Sequence, residues 1–235
     1  MSEYFVFGGI SSLDYNVLLL ADDVDGTSYE YDTVAIPGRS GDLHRGKKRY
    51  KNKDRKLIIY TGTNGEQRIS DLNAALLAVT DYQRLQSTIH PDWYMVGQYD
   101  GNIKPKKSVG YTAGRVELTF DCKPQKYLVS GDTEVTLSDG GTITNPTLYP
   151  AKPILYVTGE GSFSIGRYTI QVLQDLDDLV IDCDMETAYS SEDGTNYNDK
   201  IRVFDNDFLS IVSGSNAVEI DSGMTVTVLP RWYTL

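Results

Sequence analysis

Short segments of alternating or aromatic-rich sequence recur along the whole chain, separated by turn residues. Such segments are typical of β-strands, because alternate side chains of a strand point to opposite faces of a sheet. The 17 tyrosines and 21 glycines favour the same interpretation, since aromatic residues suit pleated surfaces and glycine suits turns. The pattern predicts strands over residues 4–10, 29–36, 56–60, 94–99, 115–122, 133–137, 154–158, 162–165, 168–172, 179–182 and 219–229.

One segment departs from this pattern and predicts a helix. Between residues 66 and 79 the apolar side chains Ile69, Leu72, Leu76 and Val79 fall at helical spacing and form one face. A single amphipathic helix in a chain of strands is expected to pack against a sheet.

The composition changes near Ser130-Gly131-Asp132, where we place a domain boundary. Beyond it the chain carries short strands and turn signals without a second helix, which indicates a β-sandwich. With 235 residues, the chain is long enough for one large domain or two smaller ones. The overall prediction is a mainly β protein with two domains.

A strongly basic segment follows a proline-glycine turn. Pro37 fixes φ near −65°, Gly38 can supply the positive φ of a type II turn, and Gly41 gives a second permissive position. Residues 39–56 contain two acidic residues and nine basic ones, which are Arg39, Arg45, Lys47, Lys48, Arg49, Lys51, Lys53, Arg55 and Lys56. The segment carries +7 while the remainder of the chain carries −18.

Two functions fit this segment. With Tyr50 in its middle, it could grip phosphates of a nucleic acid. Alternatively, it is a solvated arm that docks onto an acidic partner, which could be a second copy of this chain. We favour docking and expect no specific nucleic acid as a partner, because the acidic remainder would repel DNA.

Few residues suggest catalysis. His44 is expected to be a solvated loop residue, and His90 lies outside any metal-binding motif. The acidic clusters Asp22–Asp25 and Asp175–Asp178 lack the glycine and glutamate positions of a calcium loop and are expected to be solvated turns. Phosphate-binding glycine motifs, nucleophile elbows and catalytic triads are absent from the sequence. We therefore expect neither an enzyme nor a metal or cofactor site.

Cys122 and Cys183 stand 61 residues apart without a CxxC spacing, which favours two free thiols in a reducing compartment. The sequence has no run of about 18 apolar residues, so a membrane span is not expected. The N-terminal residues lack the features of a signal peptide, which indicates synthesis in a cytoplasm.

Four motifs occur in an order that resembles a known family. They are Phe5-Val6-Phe7-Gly8-Gly9-Ile10-Ser11-Ser12-Leu13-Asp14-Tyr15, Val34-Ala35-Ile36-Pro37-Gly38-Arg39-Ser40-Gly41, Phe120-Asp121-Cys122-Lys123-Pro124 and Pro230-Arg231-Trp232-Tyr233. Together they resemble the distal tail proteins of long, non-contractile-tailed bacteriophages that infect Gram-positive bacteria. The resemblance runs over almost the whole chain.

The resemblance implies an N-terminal β-sandwich-like domain with one helix over residues 1–130 and a galectin-like β-sandwich over residues 131–228. It also implies that residues 229–235 return to the first domain, with Arg231, Trp232 and Tyr233 as an anchor. The protein would be a structural virion component of a phage or prophage, made in the bacterial host cytoplasm.

Such proteins form a hexameric ring that joins the tail tube to baseplate, tail-tip or receptor-binding components. The residues expected at the subunit interface are Arg39, Arg45, Lys47, Lys48, Arg49 and Lys51. An alternative function is a carbohydrate-binding module for attachment to the host surface, for which Tyr156, Tyr168, Tyr189 and Tyr197 are the available aromatic residues.

Overall fold

The protein is described by a computed structural model that covers residues 2–62, 65–105, 114–204 and 207–235. Its chain divides into two compact units. The first contains the described residues up to Lys126 together with Leu235, and the second is Tyr127–Thr234.

The strands of the first unit are β1 (Phe5–Phe7), β2 (Ile10–Ser11), β3 (Leu18–Val24), β4 (Tyr29–Val34), β5 (Leu43–Tyr50), β6 (Lys53–Tyr60), β7 (Gln83–Ser87), β8 (Trp93–Pro105) and β9 (Arg115–Leu128), the last of which ends in the second unit. The helix α1 (Gly65–Leu77) lies between β6 and β7. The strands that follow are β10 (Val135–Thr136), β11 (Thr142–Asn145), β12 (Ile154–Thr158), β13 (Gly161–Ile165), β14 (Tyr168–Val172), β15 (Leu179–Asp182), β16 (Thr187–Ser190), β17 (Ile201–Val203), β18 (Gly214–Ile220), β19 (Thr225–Leu229) and β20 (Tyr233–Thr234).

The first unit is built on one antiparallel sheet with the strand order β2-β1-β7-β8-β9-β6-β3. Its two ends approach each other, since the Leu19 amide donates to the Glu3 carbonyl at 2.8 Å. The helix buries Leu72 and Leu76 in the same core as Phe5, Phe7 and other strand residues. Ile69 and Val79 pack at the edge of this core, so the predicted helix and its packing on the sheet are confirmed.

The second unit is a β-sandwich of two five-stranded antiparallel sheets. Their strand orders are β10-β19-β12-β15-β16 and β11-β18-β13-β14-β17. Alternate residues of both sheets, such as Leu155, Val157, Phe163 and Ile170, fill one shared core. This core explains the fold, because strands with one apolar face must bury it against a second layer. The prediction of a mainly β protein with a single α-helix is confirmed for the described residues.

Several strand boundaries differ from the sequence prediction. Residues 219–229 do not form one strand, because Gly223 adopts a positive φ of 90° in a turn that separates β18 from β19. Strand β3 was not predicted, because its acidic residues suggested a solvated turn. Strands β7, β11, β16 and β17 were also missed, since each is short and mixes polar with apolar residues.

The C-terminal tail lies mainly with the second unit. Leu235 alone groups with the first unit, whereas Trp232 is 6% exposed and belongs to the core of the second. Backbone hydrogen bonds fix this course: the Leu128 amide donates to the Trp232 carbonyl at 2.8 Å, and the Arg231 amide to the Gly131 carbonyl at 2.9 Å. Strand β20 pairs with β9, whereas Arg231 and Trp232 contact residues of the second unit. The return of residues 229–235 to the first domain stays a prediction.

Candidate interaction surface

The basic segment of residues 39–56 divides between two structural elements. Its first part forms strand β5 of an exposed hairpin, and Lys53, Arg55 and Lys56 belong to β6 in the main sheet. Strand β6 alternates between buried and more exposed positions, which places Lys53 and Arg55 on the same face as Leu57 and Ile59. The interpretation of the whole segment as one solvated arm is therefore wrong, since three of its nine cations lie in the sheet.

Arg55 is a fully buried cation with a complete set of partners. Its guanidinium forms two hydrogen bonds with the Asp22 carboxylate, at 2.9 and 2.6 Å, and donates to the Leu85 carbonyl at 2.7 Å. The Ser87 hydroxyl also bonds to Asp22, and the Trp93 ring lies 4.7 Å from the guanidinium carbon. The network compensates the cost of burying two charges, which only well-matched hydrogen bonds can do.

The acidic residues near β3 are partners of these cations. Burial alone would raise the pKa of Asp22, but the hydrogen bonds and charge of Arg55 outweigh it and hold this pKa below 3.8. Asp25 forms an exposed ion pair with Lys56 at 2.9 Å. The expectation of a solvated turn is wrong for Asp22, whose side chain is inaccessible to solvent. Among the described residues, no group of three or more acidic, histidine or cysteine side chains could hold a metal ion.

The hairpin β4–β5 forms a two-stranded sheet of its own. Its strands are antiparallel, with Val34 opposite Leu43 and Asp32 opposite Arg45, and a bulge lies between Tyr29 and Tyr31. Nearly every residue of the hairpin is exposed in the single chain. A two-stranded hairpin without a third layer is only marginally stable in water, so this element is suited to packing against a partner.

The turn at the end of the hairpin has the predicted geometry. Gly38 has a φ of 77°, and the Arg39 amide donates to the Ile36 carbonyl at 3.2 Å, as in a type II turn with Pro37 at its second position. Gly41 has a φ of 86°. Arg39 is thereby held in an exposed loop between two glycines that carry the positive φ values.

One face of the hairpin is aromatic. Tyr29 and Tyr50 are cross-strand neighbours with ring centroids 5.4 Å apart, and Tyr31 stacks on His44 at 4.4 Å. The Tyr29 ring lies over Gly46, where a Cβ would come within 2.9 Å of it. Because cross-strand partners share a face, these rings form a continuous exposed surface. His44 is therefore part of the strand β5, and the expectation of a loop residue was wrong.

The opposite face carries charge pairs within the hairpin. Lys47 bonds to Glu30 at 3.1 Å and to Asp32 at 2.9 Å, and Arg49 forms a close ion pair with Glu30. Hydrogen bonds from Arg49 and Lys47 lower the pKa of Glu30, and those to Asp32 and Glu30 raise the pKa of Lys47. These two cations are thus already engaged in the single chain.

The other four predicted interface cations, Arg39, Arg45, Lys48 and Lys51, are exposed and form no ion pair within the described part of the chain. Residues 29–50 contain five basic and three acidic residues, a net charge of +2. The hairpin is therefore only weakly basic, and its unpaired cations accompany exposed apolar residues. Val34, Ile36 and Leu43 are 49%, 37% and 56% exposed.

The predicted anchor residues of the tail contact the second unit. Arg231 reaches the Asp182 carboxylate at 3.4 Å and Asp184 at 3.7 Å. Tyr233 stacks on Tyr149 with ring centroids 5.6 Å apart. The tail is thus held in place by the charge of Arg231, the burial of Trp232 and the ring contact of Tyr233.

The remaining sequence candidates are structural groups. Asp178 accepts hydrogen bonds from Ser190 and from the Tyr197 hydroxyl, so this member of the second acidic cluster is not simply solvated. Cys122 and Cys183 are free and buried, and burial raises the pKa of each thiol to about 12. Within the described ranges, no helix has the length and apolar character needed to cross a membrane.

Comparison with solved structures identifies the fold. The chain is similar to the crystal structure of the SPP1 Dit protein, described as a paradigm of the hub adsorption apparatus in phages that infect Gram-positive bacteria. The alignment covers 100% of both chains with a TM-score of 0.71 and 16% sequence identity. The fold is that of a Dit hub protein. The predicted resemblance to distal tail proteins is confirmed at this level.

Two structures of the phage P2 baseplate in its activated conformation, with Ca and with Sr, align with 97% of this Dit-like chain and 98% of theirs. Their identity is 12% in both cases, with TM-scores of 0.47 and 0.48, values that support no further conclusion. No protein-family model and no curated protein sequence matches the chain. The comparisons indicate no catalytic family.

Proposed function

We propose that the protein is a structural hub of a phage tail tip, which assembles into a hexameric ring and joins the tail tube to baseplate or receptor-binding components. The observation that carries this proposal is the similarity to SPP1 Dit over the full length of both chains. Its place would be the virion, after synthesis in the bacterial host cytoplasm, and its role would be structural without catalysis.

The hairpin β4–β5 is the element proposed to reach the neighbouring subunit. A ring has heterologous interfaces, in which one patch of a subunit meets a different patch of the next. The hairpin supplies such a patch, because its aromatic face and its apolar residues near the turn have no covering layer among the residues that the structure describes. Tyrosine side chains are typical of the energetically important part of protein interfaces.

Charge would orient the hairpin on its partner. The unpaired cations Arg39, Arg45 and Lys48 lie on an element of net charge +2, whereas the complete chain carries −11. An acidic surface of the next subunit would attract the hairpin. Two such acidic surfaces would repel each other. Lys47 and Arg49, which pair with Glu30, would act mainly by keeping the hairpin folded.

Native mass spectrometry and light scattering test this proposal. The wild-type chain is expected to form hexamers, and the double variant Arg45→Glu/Lys48→Glu is expected to shift the population to monomers. The matched control reverses Lys104 and Arg202, two exposed cations outside the hairpin, and is expected to leave hexamers intact.

Two outcomes would contradict parts of the proposal. A wild-type chain that stays monomeric at its highest soluble concentration, and that fails to assemble with purified tail tubes, contradicts the ring. Hexamers that persist in the hairpin variant contradict the docking role of the hairpin and leave the ring itself supported.

A further inference from the structure

The outward face of one sandwich sheet carries a row of uncharged residues with two tyrosines at its centre. Cross-strand pairing places Thr227 opposite Tyr156, Tyr156 opposite Val180, and Val180 opposite Tyr189. Directly opposite residues of neighbouring strands point to the same face, so these side chains lie side by side. Two further members extend the row, Thr136 beyond Thr227 and Asn196 beyond Tyr189.

Val180 lies between the two tyrosines in the row and is itself buried. Val180 is 3% exposed, yet it is not part of the core between the two sheets. Its direct cross-strand neighbours on the outward face are Tyr156 and Tyr189. Both tyrosines remain half-buried, so each keeps part of its ring accessible. Burial also raises the pKa of Tyr156, with smaller contributions from Glu134 and Tyr189.

The ends of the row are hydrogen-bonding groups without formal charge. Thr136 and Thr227 form a hydroxyl pair at 3.0 Å, and Asn196 is exposed at the other end. Tyr156 and Tyr189 stand on strands separated by one strand, so their Cα atoms are about 10 Å apart. At this spacing the two rings can contact different residues of one short chain molecule.

The other two candidate tyrosines and the open cavity described for the second unit do not combine these properties. Tyr168 faces the core, and the Tyr197 hydroxyl is bound to Asp178. The opposite sheet has an open cavity of about 570 Å³ on its outer side, but its lining includes the acidic residues Asp139, Glu219 and Asp221 and the buried Phe163 as its aromatic residue.

We propose that the platform of Tyr156, Val180 and Tyr189 binds a neutral oligosaccharide. The apolar faces of two sugar rings would lie against the tyrosines, and sugar hydroxyls would exchange hydrogen bonds with Thr136, Thr227 and Asn196. Such a combination of aromatic faces with a few fixed polar groups is how proteins recognise uncharged ligands with both apolar and hydroxyl surfaces. The absence of formal charge among the six residues of the row selects a neutral sugar over a phosphate-rich polymer.

The platform is too small for a stable protein partner. A standard protein interface buries about 800 Å² on each side, mostly with contiguous contacts of 20 or more residues. Two half-buried tyrosines and one buried valine expose far less apolar surface. Along the same two strands, the outward positions run from Thr158 and Thr225 at one end to the half-buried Ile154 and Leu229 at the other. A short oligosaccharide matches the dimensions of the row.

Binding can be measured by saturation-transfer NMR and isothermal titration calorimetry on the full-length protein. The probes are neutral hexasaccharides of β-1,4-linked glucose, β-1,3-linked glucose, α-1,4-linked glucose, β-1,4-linked mannose and β-1,4-linked N-acetylglucosamine, with a polyglycerol-phosphate oligomer as the charged comparison. At least one neutral probe is expected to bind with a Kd of about 1 mM or lower, and the charged oligomer is expected not to bind.

Substitutions then locate the site. Tyr156→Ala and Tyr189→Ala are each expected to weaken binding by about tenfold, whereas Tyr82→Ala, an exposed tyrosine of the first unit, should leave it unchanged. If an alanine variant does not fold, Tyr156→Leu and Tyr189→Leu keep the apolar cover and remove the aromatic face. Failure of all neutral probes to bind, binding of the charged oligomer alone, or equal binding by folded variants would each overturn the proposal.

Discussion

Arg55 and Asp22 form an ion pair with two hydrogen bonds, at 2.9 and 2.6 Å, and neither side chain is exposed to solvent. Removing one partner of a buried pair leaves the other charge uncompensated, which typically costs about 3–5 kcal/mol. We therefore expect Asp22→Asn to lower the free energy of unfolding by this amount, as measured by urea denaturation. The control Asp25→Asn removes an exposed pair with Lys56 and should have a much smaller effect. If the two substitutions lowered the free energy of unfolding equally, the proposed contribution of the buried pair would be contradicted.

The same pair gives stability a dependence on pH. Arg55 holds the folded-state pKa of Asp22 below 3.8, so the carboxylate contributes stability above that pH and loses it as the pH falls through the lower folded value. In Asp22→Asn this acid-dependent loss should be smaller than in the wild type. Denaturation curves recorded between neutral pH and the acid limit of folding measure the difference. If the stability of the wild type and of Asp22→Asn changes with pH in the same way, Asp22 does not contribute to the pH dependence of stability.

Lys53 is the converse case, a buried cation without an acidic partner in the described contacts. It is 5% exposed, its ammonium donates to the Thr27 hydroxyl at 3.0 Å, and burial, with a smaller contribution from Lys126, lowers its pKa to about 8. The unfolded chain binds its proton up to about pH 10.5, so the stability should rise between pH 8 and pH 10.5.

Lys53→Met is expected to raise the free energy of unfolding at pH 7 by about 1–3 kcal/mol and to flatten the rise at alkaline pH. Lys51→Met, at an exposed position two residues away, should change neither quantity. Urea denaturation at neutral and alkaline pH compares the variants. A destabilised Lys53→Met protein would mean that the contact with Thr27 outweighs the cost of burying the charge.

Gly131 permits the close approach of the C-terminal tail. A Cβ at this position would lie 2.4 Å from the Trp232 amide nitrogen, a backbone atom that cannot move aside without displacing the tail. Gly131→Ala should therefore lower the thermal stability of the second unit by several degrees, in line with a cost of about 2 kcal/mol or more. Gly26→Ala, where a Cβ meets no atom within 4 Å, should be close to neutral. Calorimetry distinguishes the two.

The aromatic face of the hairpin should matter for assembly more than for the stability of the single chain. Tyr31 and Tyr50 are 47% and 40% exposed, so Tyr31→Ser/Tyr50→Ser removes little buried surface from the monomer. We expect the hexamers of this variant to be weaker, so that on dilution they dissociate at a higher protein concentration than wild-type hexamers do. The monomer should keep its melting temperature within a few degrees. Sedimentation velocity over a dilution series measures the change. If the hexamers of the variant dissociate at the same concentration as those of the wild type, the contact between subunits would be assigned to the charged face of the hairpin.

The parts of the fold that the sequence predicted are those where pattern and packing agree. Strands β12, β14 and β15 have the predicted bounds, because alternation or continuous apolar sequence matches burial there. Strand β3 escaped prediction because its polar residue Asp22 faces inward, where partners on β6 and β7 satisfy it. A pairing between residues 33 positions apart leaves no local signal.

The basic segment shows a second limit of prediction from the sequence. A count of charges along the chain cannot separate Lys47, which faces Glu30 across a hairpin, from Arg55, which is buried in a sheet, because that distinction depends on strand pairing. The turn at Pro37-Gly38 was predictable because its geometry is local. The tyrosine platform was only partly visible, since four tyrosines were candidates and cross-strand register selected Tyr156 and Tyr189.

In the proposed ring, the ion pairs of Glu30 with Lys47 and Arg49 would affect the timing of assembly. They connect the two strands of the hairpin within one chain, so they favour the alignment of its strands before a partner arrives. A segment that is already ordered loses less conformational entropy on contact than one that must fold at the interface. Subunit association in the proposed ring would accordingly depend little on a folding step of the hairpin, and its rate would be set mainly by encounter and orientation.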